Sequence, residues 1–444
     1  MNKVLPLVSL FIISIISIFY WTFKPKNELY DAKWNAPDTT LAITIDGEIS
    51  TTFPTSAAYE TSVECTSGTG KAEWNGSKWI LTTSGITKGS TKCNATFIAR
   101  ELTFSEIILT NNEVKKPLTT PGKEISSEEE ALLASTEDDY GTSYYFGGAV
   151  KNNYVQFANK CWRIVRIGGD STVKLILHND NIVNGSNPCS SVNNNGENAY
   201  AHYSDSTYKS SFNNKNNDNA YIGFMYGTPS STTYEATHAN TNKSTILTNL
   251  ETWYNNNFKS YESVIDDNVF CNDKTRNTDD TFNPFYYPMI YGEFGTGYSD
   301  NATYYGATVR MVKSNHVPGG TGPSLKCNGE LSKITSKIGL ITIDEYAYAG
   351  GAYYKSNPTT YLEENSTSIP YWYTISPSAF YYEDDGDNES ASAEIWVIST
   401  GNNNTDGEKY VTSYYGVRPY ISLKSDTTIE SGWGTSEAPY KINS

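Results

Sequence analysis

The chain has 444 residues and a formal net charge of −16, from 33 basic and 49 acidic side chains. Hydrophobic residues make up 38%, but that figure includes 35 tyrosines, so burial has to lean on Trp, Tyr and Phe. An acidic chain with no clusters of Lys and Arg excludes a nucleic-acid ligand, and the periodicities of collagen, coiled coils and multi-span membrane proteins are missing.

Residues 4–23, VLPLVSLFIISIISIFYWTF, are uncharged between Lys3 and Lys24. About twenty residues at ~1.5 Å each cross a ~30 Å hydrocarbon core. The run closes on Phe19-Tyr20-Trp21-Thr22-Phe23, which suits an aromatic interface belt rather than the small residues of a cleavage site. The expectation is an uncleaved signal anchor over 1–26: a single-pass transmembrane helix that leaves the rest of the chain extracellular. A cleaved leader is the alternative.

Six cysteines follow: Cys65, Cys93, Cys161, Cys189, Cys271 and Cys327. None forms a C-x-x-C pair, which argues against zinc and thioredoxin-type sites. An even, widely spaced set beyond an anchor reads as disulfides in an oxidising space, with reduced buried thiols as the alternative. Order along the chain suggests neighbours pairing, Cys65 with Cys93 first.

Residues 39–100 read as a small all-β unit. Leu41, Ile43 and Ile45 alternate into Asp46-Gly47. Ala72 and Trp74 alternate into Asn75-Gly76, and Trp79 and Leu81 follow, the strongest short-range hairpin signal. Val63 with Cys65, and Cys93 with Ala95 and Phe97, share strand faces, so a disulfide packed on Trp between two sheets gives the expectation of an immunoglobulin-like module. Residues 101–140 hold ten acids against three lysines, with Pro117 and Pro121, and read as an extended acidic linker.

Residues 141–444 form the main domain. Cys161 to Arg166 and Val173 to Leu177 read as a hairpin around Gly168-Gly169-Asp170. Ser244 caps the strongest helix, where Ile246, Leu250 and Trp253 lie on one face. Asp344 is expected to cap a short helix that stops at Gly350-Gly351. Glu394 to Ile398 and Val417 to Leu423 read as late strands.

Five pieces in order, Trp162-Arg163-Ile164-Val165, Asn249 to Phe258, Gly339 to Tyr346, Tyr371 to Pro377 and Gly416-Val417-Arg418-Pro419, resemble bacterial surface domains related to C-type lectins and to the formylglycine-generating sulfatase-modifying enzymes. The resemblance implies an α+β fold: a C-type lectin-like head over 141–444 with a small antiparallel sheet, two helices and long irregular loops. It makes Trp162, Trp253 and Trp372 structural, and the pairs Cys161–Cys189 and Cys271–Cys327 depend on it. The enzyme branch uses two active-site cysteines and a metal, and no cysteine here maps onto that pair.

Four constellations bear on chemistry. Arg418, inside an apolar stretch, needs a buried partner, and Asp344 or Glu345 are the candidate carboxylates. Glu383, Asp384, Asp385, Asp387 and Glu389, with Gly386 for a bend, offer hard oxygens to calcium, although a solvated loop has the same composition. The histidines His178, His202, His238 and His316 are scattered and read as surface or hydrogen-bonded side chains. Tyr286, Tyr287, Tyr304, Tyr305, Tyr381 and Tyr382, among Asn, Ser and Gly, suit glycan stacking or protein contact, or else replace aliphatic residues in a polar core. Together these give the expectation of a membrane-anchored, non-catalytic extracellular binding or adhesion protein for a glycan or surface protein. A formylglycine-generating type of oxidase and a structural envelope component are the alternatives.

Overall fold

The computed structural model describes residues 40–444 apart from 76, 88, 128–129, 181, 183, 195–205, 280, 285–302, 354–358, 364–370, 385–388 and 400–406. The chain divides into two units, Met1–Leu102 and Thr103–Ser444. Strands of three residues or more are numbered in chain order.

In the first unit β1 (Thr40–Ile45) turns into β2 (Glu48–Ser50) through Asp46 and Gly47, both at positive φ (50° and 86°), the conformation a two-residue hairpin turn requires. With β3 (Tyr59–Cys65) and β6 (Lys92–Ala99) they form one sheet in the order β2-β1-β6-β3. In it β1 runs parallel to β6 and β3 antiparallel. The hairpin of β4 (Thr69–Trp74) and β5 (Trp79–Ser84) is a separate layer, and Trp79 packs edge-on against Phe97 at 5.2 Å. Cys65 and Cys93 sit directly opposite each other on β3 and β6. The first disulfide therefore joins neighbouring strands of one sheet, not two facing sheets as the immunoglobulin-like expectation had it.

The second unit starts earlier than expected. Residues 103–138 are not a solvated linker: α1 (Phe104–Asn111) buries Phe104 and Ile108 in the main core, and β7 (Leu132–Asp138) pairs with β8 (Gly141–Gly147). A thin apolar stripe of this stretch packs inward, two of its acids, Glu130 and Asp138, are buried with it, and Thr103 with Glu106 closes a capping box on α1. β9 (Tyr154–Phe157), β10 (Lys160–Ile167) and β11 (Val173–Asn179) continue the sheet. Late strands β17 (Tyr420–Leu423), β18 (Ile429–Ser431) and β19 (Tyr440–Ile442) complete it in the order β17-β11-β10-β9-β19-β18, with β8 on the end of β10.

A second sheet is built on the long hairpin of β14 (Tyr371–Asp384) and β15 (Glu389–Ser399), with β16 (Glu408–Tyr410) on its edge. A short ribbon pairs β12 (Asn268–Cys271) with β13 (Lys333–Ser336). The helices are α2 (Tyr234–His238), α3 (Thr245–Asn257), α4 (Gly306–Met311) and α5 (Ile343–Tyr348). On α3, Ser244 accepts from the Leu247 amide and Ile246, Leu250 and Trp253 are buried, as the periodicity predicts. The cap of α5 is Thr342, not Asp344.

This architecture corrects the expected fold class. The described chain is mainly β, with 38% strand against 16% helix, rather than an α+β C-type lectin-like head. An N-terminal transmembrane helix is not supported either: among the described residues no helix is long and apolar enough to cross a membrane, and residues 4–23 lie outside them. The physical reason is compositional. Tyr, Thr, Ile and Val supply the apolar surface and favour a pleated, half-buried backbone, while Asn and Gly punctuate it into short elements. Aromatics carry the packing: Phe258 alone is ringed by Phe157, Trp162, Trp253, Tyr254 and Tyr261 within about 6 Å.

Candidate functional site

Two concavities of the second unit differ in kind. The first is a narrow cleft of about 40 Å³ where β7, β10, β11, β12, α4 and α5 converge beside the Cys271–Cys327 disulfide. Across the β10–β11 ladder Arg166 sits directly opposite Lys174, a like-charge pair that needs compensation. Arg166 supplies part of it by bridging two carboxylates, with Nε donating to Glu345 Oε1 at 2.8 Å and Nη1 to Asp138 Oδ2 at 2.9 Å. Glu345 is the third residue of α5, so its Oε2 also accepts from the Thr342 amide (3.0 Å), while the Tyr420 hydroxyl donates to Oε1 (2.8 Å). On the far side Arg310 repeats the scheme, donating twice to Asp344 (2.6 and 2.9 Å) and once to Asp273 (2.7 Å).

Lys174 lines the same cleft on the Arg166 side. Its Nζ donates to Asn268 Oδ1 at 2.8 Å and to the Val269 carbonyl at 3.3 Å, with the rings of Phe270 and Tyr420 at 5.1 and 5.8 Å. Burial first, then the neighbouring Arg166, pull its ammonium down to about 8. Burial alone would raise the Glu345 carboxyl, but Arg166, Lys174 and the Thr342 amide hold it below its ordinary value. The cleft is thus self-satisfied. Each guanidinium holds two carboxylates, and the volume suits one to three waters, too small for a sugar or peptide side chain.

The second concavity is an open groove of about 430 Å³ between the polar face of α3 and β13. Glu251 and Asn255 come from α3, Thr335 and Ser336 from β13, and Lys243, Glu262, Asp267 and Lys337 from the flanking segments. Its two ion pairs, Lys243–Glu251 at 2.6 Å and Lys337–Asp267 at 3.2 Å, are solvent-accessible and each contributes ~0–1 kcal/mol, so a ligand can exchange them. Tyr254 lines the groove at 4% exposure, and its buried hydroxyl has no hydrogen-bond partner among the described residues. Burial, then Glu262 and Asp267, raise its pKa, which keeps that hydroxyl a donor.

Neither place assembles the tyrosines expected to bind a ligand or the carboxylates expected to hold calcium; of the expected residues the cleft holds Asp344, Glu345, Cys271 and Cys327. Tyr286 and Tyr287 lie outside the described residues. Tyr304 and Tyr305 are buried, not displayed: Tyr305 donates to Asn219 and meets His238 Nε2 at 3.2 Å, and Tyr304 stacks edge-on with Phe282. Tyr381 donates to Glu394 at 2.8 Å from the middle of β14, and for Tyr382 only the backbone is described. Asp385 and Asp387 of the calcium candidate are outside the described residues, and Glu383, Asp384 and Glu389 are described only as backbone of the β14–β15 hairpin. Among the described residues no group of three or more His, Cys, Asp or Glu is placed to hold a metal.

Arg418 does not pair with Asp344 or Glu345, because Arg310 and Arg166 already occupy them. It donates instead to the Leu177 and Leu362 carbonyls (3.1 and 2.8 Å) and lies over Trp372 at 4.7 Å. Trp162 and Trp372 are fully buried, and Trp253 packs beside Phe258. Of the histidines expected to be superficial or hydrogen-bonded, His178 and His238 are buried, with His238 meeting the Tyr305 hydroxyl, His316 meets the Tyr353 hydroxyl at 2.8 Å, and His202 is outside the described residues. All six cysteines are bonded, Cys65–Cys93, Cys161–Cys189 and Cys271–Cys327. Sequence reasoning missed Arg166, Arg310 and the groove. The Thr342-x-x-Glu345 capping box and the i, i+4 pair Glu251 and Asn255 opposite the apolar stripe of α3 were the available signals.

No family model, no curated protein and no solved structure matches this chain.

Proposed function

We propose that the chain is an exported, non-catalytic binding protein that recognises a glycan through the α3–β13 groove of its second unit. The observation that carries this reading is the groove itself: about 430 Å³, open, and lined by hydroxyls, an amide, a tyrosine and loosely paired charges. That volume falls in the range of small-ligand sites, and the lining supplies many directional donors and acceptors for a polyhydroxylated ligand. Three disulfides support an oxidising, extracytoplasmic location. The absence of a free thiol leaves the formylglycine-type alternative without a nucleophile in this oxidised state.

The test is a glycan array probed in parallel with the native protein and a Glu251→Ala/Asn255→Ala variant, whose substitutions lie on a helix face where Ala is well tolerated. Binding of a glycan class by the native protein and its loss in the variant support the reading. Equal binding by both moves the site elsewhere, and a blank array with capture of a surface protein removes the glycan.

A further inference from the structure

Lys174 and Asn268 bring an amine against a side-chain amide in the cleft. Lys174 Nζ lies 2.8 Å from Asn268 Oδ1, and both side chains are almost wholly buried, at 3% and 5% exposure. They stand on β11 and β12, which are not paired with each other. The amide nitrogen of Asn268 points the other way, donating to Asp266 Oδ2 (3.0 Å), Thr172 Oγ1 (3.1 Å) and Asp170 Oδ2 (3.3 Å). The amine therefore approaches the carbonyl side of the amide, while carboxylates hold the nitrogen that would have to leave. Phe270 and Tyr420 flank the ammonium, and among the described residues no carboxylate lies in ion-pair contact with it, although Glu345, Asp170 and Asp138 act on it from farther off. Desolvation beside a second cation is one of the ways a lysine is made nucleophilic.

We propose that Lys174 and Asn268 join in an intramolecular isopeptide bond between Nζ and Cγ, with release of ammonia. The lone pair of the neutral amine attacks Cγ, and the carbonyl π electrons move to Oδ1. A carboxylate, with Asp170 interacting electrostatically with Lys174 and accepting from Nδ2, takes a proton from the attacking nitrogen and delivers it to the departing one. The carbonyl re-forms as the Cγ–Nδ2 bond breaks and ammonia leaves. One amide is exchanged for another, so no oxidant or external reactant is consumed and the carboxylate is regenerated. The fall of the Lys174 ammonium to about 8 makes a substantial neutral fraction available under mildly alkaline conditions.

The test is mass spectrometry of the reduced full-length protein, before and after prolonged incubation at pH 9, combined with peptide mapping. The expected result is a population lighter by one ammonia that yields a branched peptide linking Lys174 to Asn268. Lys174→Arg and Asn268→Ala should each abolish it, and Asp170→Asn should slow its formation by roughly a hundredfold. A mature chain that keeps its full sequence mass after incubation overturns the proposal. So does an ammonia loss that maps to an Asn-Gly succinimide such as Asn328-Gly329. Both readouts come from the native protein, so a variant that fails to fold does not shield the idea.

Discussion

Replacing Arg166 with Met removes one cation from between two buried carboxylates. The carboxylates are 3% (Asp138) and 5% (Glu345) exposed, and their contacts with the guanidinium are 2.9 and 2.8 Å. Breaking a buried ion pair by deleting one partner costs ~3–5 kcal/mol, because the stranded charge cannot be rehydrated. Against a total stability of ~5–15 kcal/mol the variant sits near its limit, so urea unfolding monitored by tryptophan fluorescence reads the effect directly. The pH dependence identifies the mechanism. In the native protein the Glu345 carboxyl lies below its ordinary 4.5, so its contribution is present above that value and is lost as pH falls through the folded value. Without Arg166 burial dominates and the folded value rises, so the deficit should shrink as pH falls from 7 towards 5. Adding Glu345→Gln should recover part of the loss at pH 7. A deficit below about 1 kcal/mol that stays flat with pH would refute the claim that Arg166 is clamped in a desolvated network.

Further outcomes follow from the same structure. Burial, opposed by the Tyr346 hydroxyl and Arg418, raises Glu363 from 4.5 to about 7, so the native protein loses stability as pH rises through that window; Glu363→Gln should be more stable by up to ~3 kcal/mol at pH 8 and no different at pH 4.5, by chemical denaturation. Ser244→Ala leaves the Leu247 amide of α3 uncapped and should cost ~1 kcal/mol, read as a lower urea midpoint at an unchanged slope. If Lys174 and Asn268 are joined, Lys174→Arg should also lower the unfolding midpoint relative to the cross-linked protein, while freshly made protein that has not yet reacted should resemble the variant more closely.

Much of the local structure was legible in the residues. The Asp46-Gly47 turn, the β4–β5 hairpin, the β10–β11 hairpin and α3 follow from turn chemistry and periodicity acting over fewer than twenty residues. What escaped depends on long-range packing. The stretch 103–138 looked like a spacer because its charge outweighs a stripe of few apolar residues, yet Phe104, Ile108 and Leu133 reach the main core. Arg418 could be assigned a carboxylate only by guessing which acids were free, and Arg166 and Arg310, far away in sequence, had taken them. Tyr304 and Tyr305 show the limit of composition: a tyrosine pair in a polar stretch reads as a binding face, while in the fold it is core with its hydroxyl turned inward. The groove went unseen because its lining comes from α3, β13 and the segments beside them, each unremarkable alone.

The most direct test of the binding account is chemical-shift mapping of the second unit's amide resonances during titration with a glycan found on the array. The account predicts saturable shifts concentrated on Glu251, Asn255, Thr335, Ser336 and Lys337, around the hydroxyl of Tyr254. Shifts concentrated on the β14–β15 hairpin, or none at saturating glycan, would contradict it.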